Sequence, residues 1–253
     1  MLVEPSRRVK DLPPYLFAKI DKMREEIIAK GVDVINLSIG DPDLPTFPNI
    51  IEKMKQSIKD PKNHRYPSYE GMLSFRESVA KWYKSRFNVK LDPEGEILSL
   101  IGSKEGIAHT PLAFVDAGDI VLVPDPCYPV YPTATKFAGG IPYFLPLVHK
   151  NQFFPDLKNI PLEVLKKAKL LFLNYPNNPT TSLGTRKFFT EVVKFAKRYN
   201  ILVCHDAAYT ELYYDENYKP ISFLEIEGAK AVSYTHLRAH ETSLHLVCRL
   251  LLE

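Results

Sequence analysis

Four polar clusters each follow a run of apolar residues, and they hold the side chains best suited to chemistry. They are GSKEG (102–106), DPCYPVYP (125–132), NYPNNPTT (174–181) and HDAAY (205–209). Asp206 ends a strongly apolar run, so its carboxylate is expected to be partly buried and to need a partner. Tyr209 comes three residues later, within reach of the same ligand if the chain turns there. Asn178 precedes a proline, which pushes its backbone toward an extended conformation and lets its amide point into a strand-end cleft. Ser103 and Lys104 open a helix after an apolar run, where free backbone N–H groups suit a phosphate. Tyr128 and Tyr131 lie in a proline-stiffened loop, where an aromatic ring can stack on a planar ligand. Each cluster also has a plainer reading. Ser103 can be a helix cap, Asn178 a turn residue, Asp206 a cap for the next turn, and the tyrosines local packing. A metal held by His205 and Asp206 is disfavoured, because neighbours on a strand face opposite ways.

The elements that must position these groups follow from the apolar pattern. The runs EILSLIG (96–102), DIVLVP (119–124), IPYFLPL (141–147), KLLFLNYP (169–176) and ILVCHDAAY (201–209) predict strands. Helical spacing falls between and before them. Leu16, Ile20, Met23 and Ile27 predict an amphipathic helix that Gly31 can end. Met72, Phe75, Val79 and Tyr83 predict a second, within Glu70 to Phe87, and Phe189, Val192, Val193 and Ala196 a third. Alternating strands and helices predict an α/β fold, with a mostly parallel sheet covered by helices on both faces. In such sheets the ligand lies beyond the carboxyl ends of the strands, where the four polar clusters fall.

Bulk properties exclude several classes. The 253 residues are 45% hydrophobic and 25% charged, with a formal net charge of +3 and no dense basic run. Nucleic-acid or membrane-surface binding therefore has little electrostatic support. No apolar run approaches spanning length, and the N-terminal residues have no apolar signal core. Cys127, Cys204 and Cys248 lack metal spacing, which points to a reduced, cytoplasmic compartment. No G-x-G-x-x-G or G-x-x-x-x-G-K-[ST] occurs, which argues against a nucleotide-binding Rossmann protein.

No one cluster is specific, but their order is. G-S-K-E, D-P-x-Y-P, N-Y-P-x-N-P-T and D-x-x-Y in succession resemble the class I/II pyridoxal-phosphate aminotransferases of the aspartate aminotransferase fold. The branch containing LL-diaminopimelate aminotransferases is the most similar, from VINLSIGDPD through NHRYPSYEG to ISFLEIEGAK. The resemblance implies fold type I, with residues 1–45 an N-terminal arm and substrate-side loop and residues 46–231 a partial cofactor-binding large domain. It implies that Asp206 pairs with the pyridine nitrogen, which makes the ring an electron sink. Asn178 and Tyr209 would hydrogen-bond the ring oxygen, Tyr128 would stack on the ring, and Ser103 and Lys104 would hold the phosphate. Tyr66 would reach the phosphate of a neighbouring subunit, so a homodimer is implied, while Tyr15 and Gly40 match substrate-side positions. The implied reaction moves an amino group from an amino acid to a 2-oxo acid, with an LL-diaminopimelate or aspartate-like substrate. A carbon–sulfur lyase or a catalytically inert pyridoxal-phosphate module remains the alternative. One departure is Thr181, where many relatives have glycine.

The resemblance also implies a Schiff-base lysine, in a run like S-x-S-K one strand after D-x-x-Y. That place, around Thr235 to Glu241, reads THLRAHE, and no lysine follows Lys230. No catalytic residue is therefore assigned. Lys230, in the turn before, reads as a solvated surface residue. Residues 232–253 hold three of the seven histidines and no lysine, glycine or proline. They resemble a translated sequencing adapter, which marks them as a non-native tail. The small C-terminal domain, with the arginine that binds substrate carboxylate, is then missing, and neither Arg238 nor Arg249 matches it. His236 and His240 have helical metal spacing but lack a catalytic glutamate, so no metal is assigned. The strands that follow D-x-x-Y are expected to insert between EILSLIG and the run ending at HDAAY. Without them EILSLIG would have an unpaired edge.

Overall fold

The computed structural model describes residues 3–12, 16–36 and 44–236. The chain divides into two compact units, Met1–Pro45 and Thr46–Glu253. Within the first, α1 (Arg7–Lys10) precedes α2 (Leu16–Ile28), which stops before Gly31 at φ +83. Met23, Ile27 and Ile28 of α2 are exposed.

The second unit is built on five parallel strands, β1 (Ile120–Asp125), β2 (Ile141–Pro146), β3 (Ala168–Asn174), β4 (Leu202–Asp206) and β5 (Ser233–His236). Their order is β2-β1-β3-β4-β5. Its helices are α3 (Pro48–Lys59), α4 (Leu73–Phe87), α5 (Ser103–Phe114), α6 (Val130–Phe137), α7 (Leu162–Leu165) and α8 (Arg186–Tyr199). β1 and β2 are joined through α6, and β3 and β4 through α8, the crossovers that parallel pairing demands. The strand order reverses between β1 and β3, and at such a reversal in an open parallel sheet the loops leaving the two strands part, which is where ligands bind.

The central strands β1, β3 and β4 are buried on both faces, which is why they read as continuous apolar runs rather than alternating ones, while the edge strand β2 exposes Ile141 and Phe144. On one face Leu171, Leu173 and Val203 pack with Phe189, Val192, Val193 and Ala196 of α8. On the other, Leu170, Phe172 and Cys204 pack with Ile107 of α5 and Tyr131 of α6. Each fully buried large side chain in these layers contributes about 1.5–3 kcal/mol. The α8 helix is bounded by local chemistry. Thr185 Oγ1 accepts from the Phe188 amide at 3.2 Å at its start, and Asn200 takes the left-handed conformation at its end.

One expected strand is absent. Residues 96–102 form no strand, and Leu98 and Ile101 are exposed. The physical reason is that a strand exists through its ladder, and this segment has none. Ser99 donates its amide to the Glu70 carbonyl at 3.0 Å, and a cavity of about 330 Å3 separates residues 96–103 from β5. At this gap β5 pairs with β4, and it lies within residues 232–253, the segment read from the sequence as a non-native tail. The tail beyond His236 lies outside the described residues, and so do His240, Arg238, Arg249 and Cys248.

Two local features generate stability predictions. His205 is fully buried, its ring 5.2 Å from Phe189 and 5.8 Å from Phe223, and burial pulls its pKa down to about 4. An unfolded histidine titrates near 6.5, so the unfolded chain binds the extra proton first and stability falls as pH drops from about 6.5 toward 4. The loss should reach about 2–3 kcal/mol over that window and be much reduced in His205→Leu, as read from urea unfolding at a series of pH values. Thr181 sits at φ +61, where a β-branched side chain is strained. Thr181→Gly should raise the unfolding free energy by about 1 kcal/mol, and Thr181→Val should not, which equilibrium denaturation will check.

Candidate active site

β3 and β4 run in register, so Asn174 and Asp206 stand side by side as the last residues of their strands. Alternation along β4 sends His205 toward α8 and Asp206 toward α6. Asp206 is only 4% exposed. Its Oδ2 accepts a hydrogen bond from the Tyr131 hydroxyl at 2.7 Å, and its main-chain carbonyl accepts from Asn174 Nδ2 at 2.9 Å. The expectation of a buried carboxylate with a partner is therefore met, while the capping reading of Asp206 is not: the side chain points into the layer between sheet and helices.

Tyr131 is itself fully buried and lies flat against Phe172 of β3, with ring centroids 4.7 Å apart and planes 11° apart. Burial and the nearby carboxylate push its phenol well above the usual tyrosine range, so the proton stays on the oxygen. Tyr128 meets Tyr131 edge to face at 5.9 Å, and Lys104 Nζ lies 5.9 Å from the Tyr128 ring centre. Tyr128 is half-buried and Lys104 exposed, so both offer surface to a ligand.

Ser103 is the first residue of α5, and the cap position falls to Gly102 at φ +78 rather than to Ser103. A left-handed φ suits glycine, which explains why the cap is displaced by one residue. Glu105 Oε2 takes the Ile101 amide at 2.6 Å, which closes the turn and leaves Ser103 and Lys104 at the helix mouth.

The loop after β3 is held by its own asparagines. Asn174 Oδ1 accepts the Asn178 amide at 2.6 Å. Asn177 Nδ2 donates to the Asn174 carbonyl, and Asn177 Oδ1 accepts from the Thr180 amide and hydroxyl. The Asn178 side chain is thereby left exposed at the crevice, with its Nδ2 3.4 Å from the Tyr209 hydroxyl. The Thr181 main-chain amide donates to the Asn177 carbonyl at 2.8 Å, which closes the turn.

Lys104, Tyr128, Tyr131 and Asp206 thus form one series of side-chain contacts, with Ser103 beside Lys104, and Asn178 and Tyr209 form a separate pair; the Asn174 side chain links the two through the main chains of Asn178 and Asp206. Tyr66 is not joined to them: it is fully exposed between α3 and α4. Tyr15 and Gly40 lie outside the described residues. Lys230 is committed elsewhere, to Glu96 at 2.5 Å and the Lys90 carbonyl at 3.3 Å, consistent with its reading as a surface residue. Among the described residues no group of histidine, cysteine, aspartate or glutamate could hold a metal, and no helix is long and apolar enough to cross a membrane.

Three residues of the site escaped sequence reasoning. For Tyr131 the sequence supports stacking or local packing, and its spacing of three from Tyr128 is the one sign that the two rings share a side of a turn. Asn174 and Asn177 carry the loop, and their only signal is the density of asparagine around two prolines.

Comparison with known proteins agrees with this geometry. Residues 32–237 match the family model for aminotransferase class I and II, a family of pyridoxal-phosphate enzymes. An LL-diaminopimelate aminotransferase of Syntrophobacter fumaroxidans is 57% identical over 227 residues, which are 90% of this chain and 58% of that protein. The substrate-bound structure of BacF from Bacillus subtilis superposes with a TM-score of 0.87 at 36% identity, over 94% of this chain and 60% of the other. A probable N-succinyldiaminopimelate aminotransferase from Thermus thermophilus gives 0.82 at 34% identity, over 88% and 60%. The chain thus spans about three-fifths of the length of these relatives. Its strand-end chemistry, sheet and sequence agree that the chain belongs to the class I and II aminotransferases.

Proposed function

We propose that this chain carries most of a pyridoxal-phosphate pocket of an amino-acid aminotransferase. The observation that carries the reading is the convergence of a buried carboxylate, an amide–phenol pair, an aromatic ring and a helix mouth at one strand-end crevice. That donor set fits the cofactor. Asp206 would meet the ring nitrogen, Asn178 and Tyr209 the ring oxygen, and Tyr128 the ring face. Ser103, Lys104 and the N-terminal turn of α5 would hold the phosphate. Bound there, pyridoxal phosphate supplies an electron sink for the carbanion left when an amino acid loses its α-proton.

The chain's own groups do the binding and orienting. The Asn174 amide ties the Asp206 main chain to β3, so the carboxylate starts from a fixed strand end. The proposed roles of Tyr66, Tyr15 and Gly40 follow the family pattern. The exposed Tyr66 would serve a neighbouring subunit of a homodimer, and Tyr15 and Gly40 would face substrate. The similarity to LL-diaminopimelate aminotransferases supports that substrate, or an aspartate-like one, with a 2-oxo acid as acceptor. Composition supports a cytoplasmic setting. Residues 1–45 would form the arm, 46–231 the partial large domain and 232–253 the non-native tail. As written, the chain lacks the family's cofactor-anchoring lysine, so it would bind without turning over.

Fluorescence titration with pyridoxal phosphate should give saturable binding of one cofactor per chain. Asn178→Ala and Tyr209→Phe should each weaken it by about 3–10-fold, the worth of one hydrogen bond. Absence of saturable binding by the unsubstituted chain would overturn the pocket. Borohydride treatment with the cofactor, followed by peptide mass mapping, should label no single lysine stoichiometrically. A stoichiometric adduct would overturn the reading of the missing lysine. Source DNA read across codon 231 should continue into an S-x-S-K strand, and the restored enzyme should transfer the amino group of LL-diaminopimelate to 2-oxoglutarate. Elimination without transfer would point to a lyase instead.

A further inference from the structure

Resting on the pocket proposed above, we infer that Tyr131 is a positioning residue that aims the Asp206 carboxylate at a cationic ring nitrogen and so gives the pocket its preference for a pyridine over an uncharged ring.

The geometry is specific. The phenol is fully buried, and its hydroxyl donates to Oδ2 of Asp206 at 2.7 Å, a distance typical of a charge-assisted bond. Its ring cannot swing away. One face is stacked on Phe172 at 4.7 Å, an edge meets Tyr128 at 5.9 Å, and the ring belongs to the layer that holds Ile107, Val121, Val123 and Cys204. α6 starts at Val130, so Tyr131 is held in its first turn, and Thr135 Oγ1 donates to the Tyr131 carbonyl at 2.8 Å. Both ends of the hydrogen bond therefore stand on regular elements, one on α6 and one at the end of β4.

The consequence is directional. A carboxylate on a strand end can rotate about its side-chain bonds, and each rotamer points its oxygens differently. A rigid donor on one oxygen selects the rotamer and fixes where the second oxygen points. The Asp206 main chain is held separately by Asn174, so the phenol acts on the side chain. Tyr128, which offers its ring to a planar ligand, also touches Tyr131, so ring platform and carboxylate share one support. A group that only filled space at this position would be expected to be apolar. The polar atom of this buried ring goes to the carboxylate instead.

The test compares two ligands on the full chain: pyridoxamine 5′-phosphate, and its analogue with carbon in place of the ring nitrogen. The ratio of their dissociation constants isolates the carboxylate–nitrogen interaction from phosphate and stacking contacts. Tyr131→Phe keeps the ring and should lower the preference for the nitrogen ligand by about tenfold while changing analogue affinity by less than about twofold. Asp206→Asn should abolish the preference, and in that background Tyr131→Phe should have no further effect on it. Equal weakening of both ligands by Tyr131→Phe would reduce Tyr131 to a structural role and overturn the inference, as would an unchanged ratio. Should Tyr131→Phe not fold by circular dichroism, Tyr131→His, which keeps a planar ring and an N–H donor, decides. It should retain most of the preference, and loss of the preference in the folded His variant would overturn the inference. If the unsubstituted chain binds neither ligand, the pocket itself falls. If it binds both equally, the pocket stands and the role of Tyr131 falls.

Discussion

Asp206 is a carboxylate at the end of an apolar strand, and a buried charge costs several kcal/mol unless donors and counter-charge surround it. Much of the site can be understood as the arrangement that meets this demand. The Tyr131 phenol approaches from α6, and Asn174 holds the adjoining main chain from β3. A structural protein would gain little from such a residue. A pocket for a cationic ring gains an electrostatic anchor that is strengthened by its low-dielectric surroundings.

The sheet supplies what this carboxylate needs by separating its two faces. α8 and its aromatic residues make a dry layer around His205 on one side, where the imidazole stays neutral. The layer on the other side holds the Tyr131 phenol that reaches Asp206. Because adjacent residues of a strand point to opposite faces, the His–Asp pair in the sequence is divided between a core and a site. Parallel pairing in turn places all the strand ends together, so loops far apart in sequence meet: Tyr131 and Asp206 are 75 residues apart, and Asn178 and Tyr209 are 31 apart.

The order of the strand-end clusters was legible because it combines local signals with a fixed reading direction. β1 to β4, α4 and α8 fall where the apolar runs and helical spacing place them, and so does the burial of Asp206. The segment 96–102 looked like a strand by the same criterion and is not one. Its composition fits a ladder, but it has no neighbour within hydrogen-bonding distance across the cavity beside β5. The cap of α5 was misplaced by one residue because serine is a common cap. The left-handed backbone at Gly102, which excludes serine there, is set by how the chain leaves residues 96–101.

What the sequence by itself determined is the periodicity and the polar groups at the ends of its apolar runs, since both follow from local chemistry. That was enough for the α/β class and for Asp206, Asn178, Tyr209, Tyr128, Ser103 and Lys104 as the groups to watch, while the family came from the resemblance of their order. Only the tertiary structure decided which of them touch, and through what. The hydrogen bond from Tyr131 to Asp206 and the Asn174 brace depend on the register of β3 with β4 and on the seat of α6 against the sheet. Those are contacts between segments distant in the chain, and no local pattern encodes a distance between them.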